Sequence, residues 1–347
     1  MDKNRIQLLE ATLRDGGFCL EDAYKNDIAD VGYTEGIRKS IIEDFCKTGI
    51  EIIELGALEE SGKDKRRFEI YDSMEELSKN IPQQHPDNQI YAAMFRGPDI
   101  PLEKIPDYRE GLCEATRLIV RYSELKKSLD YCRGLVQKGY KVFVQPMLTM
   151  RYTEEELNLI IREANDMNAY AVYFVDSYGY MTDEDVYKLT KRFDDSLKPE
   201  IRLGFHSHNN MHMAFSNAVT FIKYHTERNI IVDSCLLGMG QGAGNLQTEL
   251  ITYFLNDKYG KLYNYEYILN ACEKIEMFLH RNLWGCSIMT LIPSLFHTAY
   301  KYGIVMREKY KMSYVDIYRV VQNMPERMRQ RYTSEALNEL LLKMKET

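Results

Sequence analysis

A chain of 347 residues with 45% hydrophobic residues can bury one large core and leaves room for an appendage. It has no run of about 18 apolar residues and no basic-then-apolar leader, which argues against a membrane partner and sets a cytoplasmic setting as the expectation. A net charge of -7 lacks the basic footprint of a nucleic-acid binder, so an anionic ligand must be met by local arginines. The seven cysteines are odd in number, scattered and without a C-x-x-C pair, as expected of reduced, mostly buried thiols.

In chain order, apolar strand-like runs recur over Ile6–Ala11, Ile50–Leu55, Ile90–Phe95, Arg117–Tyr122, Lys141–Pro146, Ala171–Asp176, Arg202–His206 and Ile230–Leu236. Amphipathic stretches separate them, with capping boxes at Thr153–Glu156 and Thr182–Asp185 and glycine stops at Gly49 and Gly139. Eight strands alternating with helices predict an α/β fold of the (β/α)8 TIM-barrel type. A glycine loop, GMGQGAGN over Gly238–Asn245, follows the last run, and from about Asp257 the pattern is helix only. The expected division is a metal-binding (β/α)8 barrel over 1–256 and a helical C-terminal appendage over 257–347. Apolar residues of that tail, among them Phe278, Leu283, Trp284, Ile288 and Phe296, are expected to pack on the barrel or on a second subunit, which makes a homo-oligomer the expectation.

Chemistry collects where the runs end. Leu203–Asn210 reads LGFHSHNN, and side chains two apart on a strand share a face, so His206 and His208 present two imidazoles together. Ile6–Gly17, IQLLEATLRDGG, reads as a strand that ends in Arg14 and Asp15. Two neutral imidazoles and a carboxylate leave a divalent cation open positions for water and substrate, and the mixed donors suit Mn2+, Mg2+ or Zn2+ without choosing among them. The planar fork of Arg14 suits a carboxylate or a developing enolate oxygen. Glu54 near the end of the second run, Arg96 after the third and Asp176 closing the sixth join them, and a barrel gathers such positions at its C-terminal face. With the backbone of Gly240 and Gly242, they are the expected substrate-binding groups.

The pieces TLRDGG (Thr12–Gly17), IELG (Ile53–Gly56), VDSYGYM (Val175–Met181), GFHSHNNMHMAFSNAV (Gly204–Val219) and GMGQGAGNLQTE (Gly238–Glu249) resemble the metal-dependent TIM-barrel lyases and synthases. That family includes 4-hydroxy-2-oxovalerate aldolase, hydroxymethylglutaryl-CoA lyase and isopropylmalate synthase, and the aldolase branch looks most similar. The resemblance implies that Asp15, His206 and His208 bind a divalent metal, with Asn245 approaching it. It also implies that Arg14 stabilises the enolate, and that a 4-hydroxy-2-oxo acid is cleaved to pyruvate and an aldehyde through a metal-bound enolate.

Two positions depart from the aldolase pattern. Phe18 stands where those enzymes carry a histidine base, and Trp284 falls near the place of an assisting tyrosine. A phenyl ring accepts no proton, which leaves Tyr178, Tyr180 and His212 as candidate bases, with Glu54 or a metal hydroxide as alternatives. An acyl-CoA-dependent condensing enzyme and a non-catalytic barrel that keeps its ligand site are the competing readings.

Overall fold

The computed structural model describes residues 2–60, 65–224 and 226–345. Among these residues nine strands form one sheet: β1 (Ile6–Glu10), β2 (Ile52–Leu58), β3 (Ile70–Tyr71), β4 (Ile90–Phe95), β5 (Ala115–Val120), β6 (Lys141–Pro146), β7 (Ala171–Asp176), β8 (Arg202–Ser207) and β9 (Ile230–Ser234). Their order is β1-β9-β8-β7-β6-β5-β4-β2, and a β1–β2 pairing closes the ring; β3 lies outside it, on the end of β2. All strand pairings are parallel, and helices fill the connections except that between β4 and β5, which holds only a 3-10 turn at Leu102–Lys104; the alternation is that of a TIM barrel. The expected runs Ile90–Phe95, Lys141–Pro146 and Ala171–Asp176 coincide with β4, β6 and β7. Both capping boxes form, at Thr153 and Thr182, and Gly49 ends its helix in the left-handed region at φ 81°. Among the described residues no helix is long and apolar enough to cross a membrane.

The expected strand through Arg14 and Asp15 is corrected. The first strand stops at Glu10, and Thr12–Lys25 is a helix that carries Arg14, Asp15, Gly16 and Gly17 inside it. Paired glycines usually mark a turn, and each costs a helix roughly 1 kcal/mol. Here they permit close approach instead: a Cβ on Gly17 would stand 2.0 Å from the backbone oxygen of Phe68. The two-residue strand Ile70–Tyr71 was not expected either, since it is too short to leave a period in the sequence.

Glu10 helps start that helix. Its carboxylate accepts from the Thr12 backbone N–H at 2.8 Å and from the hydroxyls of Thr12 and Thr248. Burial nevertheless pushes Glu10 up to about 7 from the ordinary 4.5. A folded-state value above the unfolded one contributes stability that is complete below pH 4.5 and lost as pH rises to about 7. Urea unfolding should therefore show stability falling across that window, by at most about 1.4 kcal/mol per pH unit from this group. Glu10→Gln should flatten the fall, and an unchanged pH slope would contradict the assignment.

The helical tail packs on the barrel. Helix Tyr265–Leu279 places Ile268, Ala271, Ile275 and Phe278 in the barrel's own core, whereas Ile292, Tyr302, Met306, Ile317 and Val321 form a second core. That second unit is tied to the barrel mouth. The Tyr178 hydroxyl donates to the Gln330 carbonyl at 2.6 Å, Arg151 Nη2 donates to the His297 carbonyl at 2.6 Å, and Lys301 pairs with Asp22 at 3.1 Å.

Candidate active site at the barrel mouth

Helix Thr12–Lys25, the inside of β2 and the end of β8 bring Arg14, Asp15, Glu54 and His206 together; Glu54 stands four residues before the end of its strand, not near it. Arg14 is buried, with Nη1 on Asp15 Oδ1 and Nε 2.7 Å from Glu54 Oε2. Burial alone would lower its pKa, but the two carboxylates outweigh that and raise it, so it stays a cation. His206 Nε2 lies 3.5 Å from Asp15 Oδ2, and the rings of His206 and His208 are 5.2 Å apart, on the shared face that their spacing predicts. Just past β8, His208 forms an isolated bridge with Asn245, and this brings the glycine loop to the same place.

Asn245 Nδ2 donates to Asp15 Oδ2 at 3.2 Å and to the Met239 carbonyl at 3.1 Å. A Cβ on Gly240 would stand 2.2 Å from that same nitrogen, so the loop needs glycine there to press against the amide. Gly242 lies against Tyr300 of the tail, and Asn210 pins the loop by accepting from Ala243 N at 2.7 Å.

His208 Nδ1 and Asn245 Oδ1 are among the buried acceptors here that lack a partner among the described residues. Burial pushes the His208 imidazole down to about 4, with His206 adding to the effect, so the ring is neutral near pH 7 and its lone pair is available. Orphaned lone pairs beside a carboxylate are what a bound cation would satisfy. Among the described residues no three His, Cys, Asp or Glu side chains are already drawn into a metal cage, and Asp15 is engaged by Arg14 instead. The donor types of Asp15, His206, His208 and Asn245 fit a divalent ion.

The remaining expected residues stand apart from this cluster. Asp176 is turned onto its own loop, accepting from Tyr180 N at 2.9 Å and Met181 N at 3.1 Å, and burial pushes it up to about 7. Tyr178 spends its hydroxyl on Gln330, and Tyr180 stacks on His297 at 4.5 Å; burial pushes both phenols up, away from service as bases near neutral pH. His212 is exposed in the turn before its helix, in the left-handed region at φ 61°. Arg96 pairs with Glu21 at 2.5 Å and lies 4.0 Å from the centre of the Phe18 ring, whose centre is 5.5 Å from the Arg14 guanidinium. Trp284 is buried and donates to the Leu237 carbonyl at 3.0 Å.

Sequence reasoning missed Arg117 and Asp233. Arg117 is fully buried, with Nη1 2.8 Å from Glu54 Oε2 and Nη2 on Asp233 Oδ2, and Asp233 Oδ2 lies 2.9 Å from His206 Nδ1. Burial would raise the Asp233 carboxyl, but Arg117 and His206 outweigh it and hold it below the ordinary range. The available signal was a charged residue inside each apolar run, ATRLIV and IIVDS.

Residues 116–274 match the HMGL-like family model. The matched span runs from β5 into helix Tyr265–Leu279. A 4-hydroxy-2-oxovalerate aldolase from Shewanella woodyi is 34% identical over 98 residues, which cover 27% of this chain and 28% of that enzyme. The match thus spans under a third of the aldolase's length. An oxaloacetate decarboxylase from Mycobacterium tuberculosis is 24% identical over 257 residues, 70% of this chain and 68% of that enzyme. The N-terminal domain of an aldolase candidate from Bacteroides vulgatus superposes with a TM-score of 0.71 at 21% identity, over 90% of this chain and 99% of that one; it supports the barrel fold.

Proposed function

We propose that this HMGL-like chain is a divalent-metal-dependent carbon–carbon lyase acting on a 2-oxo acid. The observation that carries the proposal is the cluster of Asp15, His206, His208 and Asn245 beside Arg14, with buried nitrogen and oxygen lone pairs left open. An Mn2+, Mg2+ or Zn2+ ion held by those four residues would supply Lewis-acid polarisation of the substrate's carbonyl. Arg14 directs a guanidinium at the same place, and its charge and fork of donors favour negative charge that develops on the carbonyl oxygen as the bond breaks. Glu54, holding Arg14 Nε at 2.7 Å, fixes that fork. Burial keeps water from competing for these donors.

Substrates of two kinds fit. In a 4-hydroxy-2-oxo acid the bond between C3 and C4 breaks, the electrons pass into the pyruvate enolate, and the hydroxyl proton must go to an acceptor. Phe18 cannot take it; Glu54 Oε1, buried beside Arg14 and without a partner among the described residues, is the acceptor this reading assigns. In a 2-oxo acid with a carboxylate on C3, the same electrons are released as carbon dioxide departs, and no hydroxyl proton has to move. Phe18 and the longer match to oxaloacetate decarboxylase favour this second reading.

Purified protein supplied with each metal in turn, and given both substrate classes, should release pyruvate, with an aldehyde or carbon dioxide as co-product deciding between them. Arg14→Lys keeps the charge but loses the fork, and should lower turnover roughly 100-fold. No pyruvate from either class with any of the metals would overturn the proposal.

A further inference from the structure

Five buried side chains form one line of contacts beneath the mouth: Arg14, Glu54, Arg117, Asp233 and His206. Arg117 is its midpoint, and the Gln145 amide, turned with its oxygen toward the guanidinium, accepts from Arg117 Nη2 at 2.9 Å and Nε at 3.2 Å. With Glu54 and Asp233 on its two terminal nitrogens, that guanidinium has partners on three sides and little freedom to move.

Asp233 Oδ2 is shared between Arg117 and His206 Nδ1, the latter at 2.9 Å. A carboxylate that is ionised can only accept hydrogen bonds, and a neutral imidazole has one N–H and one lone pair. The ring faces two carboxylates, but only Asp233 is at hydrogen-bonding distance, so the hydrogen of His206 belongs on Nδ1 and the lone pair on Nε2, the nitrogen 3.5 Å from Asp15 Oδ2. By contrast, His208 Nδ1 has no partner among the described residues, so nothing comparable holds that ring from the barrel interior.

We propose that Asp233, anchored by Arg117, is the positioning residue of the site: it fixes the His206 ring with Nδ1–H on its own carboxylate and presents the Nε2 lone pair to a divalent cation. Through Arg117 and Glu54 the same line of contacts reaches Arg14, so the group that would hold the cation and the group that faces the developing charge share one rigid support. The cation half of the proposal rests on the proposed function, whereas the tautomer half stands on the hydrogen-bond geometry alone. Carboxylates behind ligating histidines are a general device, and losing one typically weakens metal affinity about 10–100-fold.

The test has two arms on the full chain. Long-range nitrogen–proton correlation spectra of protein labelled with 15N-histidine, recorded without metal at about pH 8, above the ordinary histidine value, report which ring nitrogen carries the hydrogen. The His206 signal, assigned by its loss in His206→Asn, should show a protonated Nδ1 and a bare Nε2. In calorimetric titration with Mn2+, Asp233→Ala should raise Kd about 10–100-fold, while Asp233→Asn, which keeps an acceptor oxygen, should recover most of the affinity. An Nε2–H tautomer in the wild type overturns the proposal, as does a folded Asp233→Ala protein with wild-type affinity. A wild type that binds no Mn2+, Mg2+ or Zn2+ would overturn the lyase reading and leave the tautomer to decide this one, and it likewise decides if Asp233→Ala does not fold.

Discussion

Arg117→Met is expected to lower the free energy of unfolding by about 3–5 kcal/mol at neutral pH, as seen when one member of a buried ionic group is removed. Arg117 is fully buried and lies between Glu54 and Asp233, which are buried as well. Methionine has a similar reach and fills the space, so the effect isolates charge from volume. After the change Glu54 still has Arg14, but Asp233 loses the guanidinium beside it while keeping the His206 contact, and a buried carboxylate deprived of its cation is costly. Adding Asp233→Leu removes that stranded charge and should restore part of the loss, because a buried ionic group replaced together by apolar residues is often tolerated. Urea unfolding of both variants measures this. A single variant within about 1 kcal/mol of wild type would show that the network carries far less than a buried ion pair ordinarily does.

Truncation separates the two apolar cores of the C-terminal region. Ending the chain after residue 256 removes Tyr263, Ile268, Ala271, Cys272, Ile275 and Phe278, all buried against the barrel. At about 1.5–3 kcal/mol for each large apolar side chain, that loss is comparable to the whole stability of an ordinary domain, roughly 5–15 kcal/mol. Such a fragment should be insoluble or unfolded. Ending after residue 286 instead keeps helix Tyr265–Leu279 and Trp284, and removes the second core together with its ties through Tyr178 and Arg151. That longer fragment should retain cooperative melting of the barrel. A folded, soluble 1–256 fragment, judged by circular dichroism and size-exclusion chromatography, would contradict the assignment of helix Tyr265–Leu279 to the barrel core.

Part of the site was legible because the signal was local. A strand displays alternate residues on one face, so H-x-H at the end of an apolar run is enough to bring His206 and His208 together, and their rings do lie 5.2 Å apart. The capping boxes at Thr153 and Thr182 were legible for the same reason, since each closes within four residues of chain. Trp284 and Tyr178 were harder. Both hydrogen-bond to distant backbone carbonyls, Leu237 and Gln330.

By itself, then, the chain's periodicity determined eight strands alternating with helices, a helical tail, and a strand end bearing two imidazoles, because each of these depends on neighbours within a few residues. Only the tertiary structure decided that TLRDGG is helical, since the glycines answer to Phe68 and Tyr33 rather than to their own segment. It alone decided that helix Tyr265–Leu279 belongs to the barrel core. The pairing of Arg117 with Asp233 spans 116 positions of sequence. A charge inside an apolar strand states only that some partner must exist. Which partner it meets is set by the closure of the barrel, which brings Glu54 from β2 and Asp233 from β9 to opposite ends of one guanidinium.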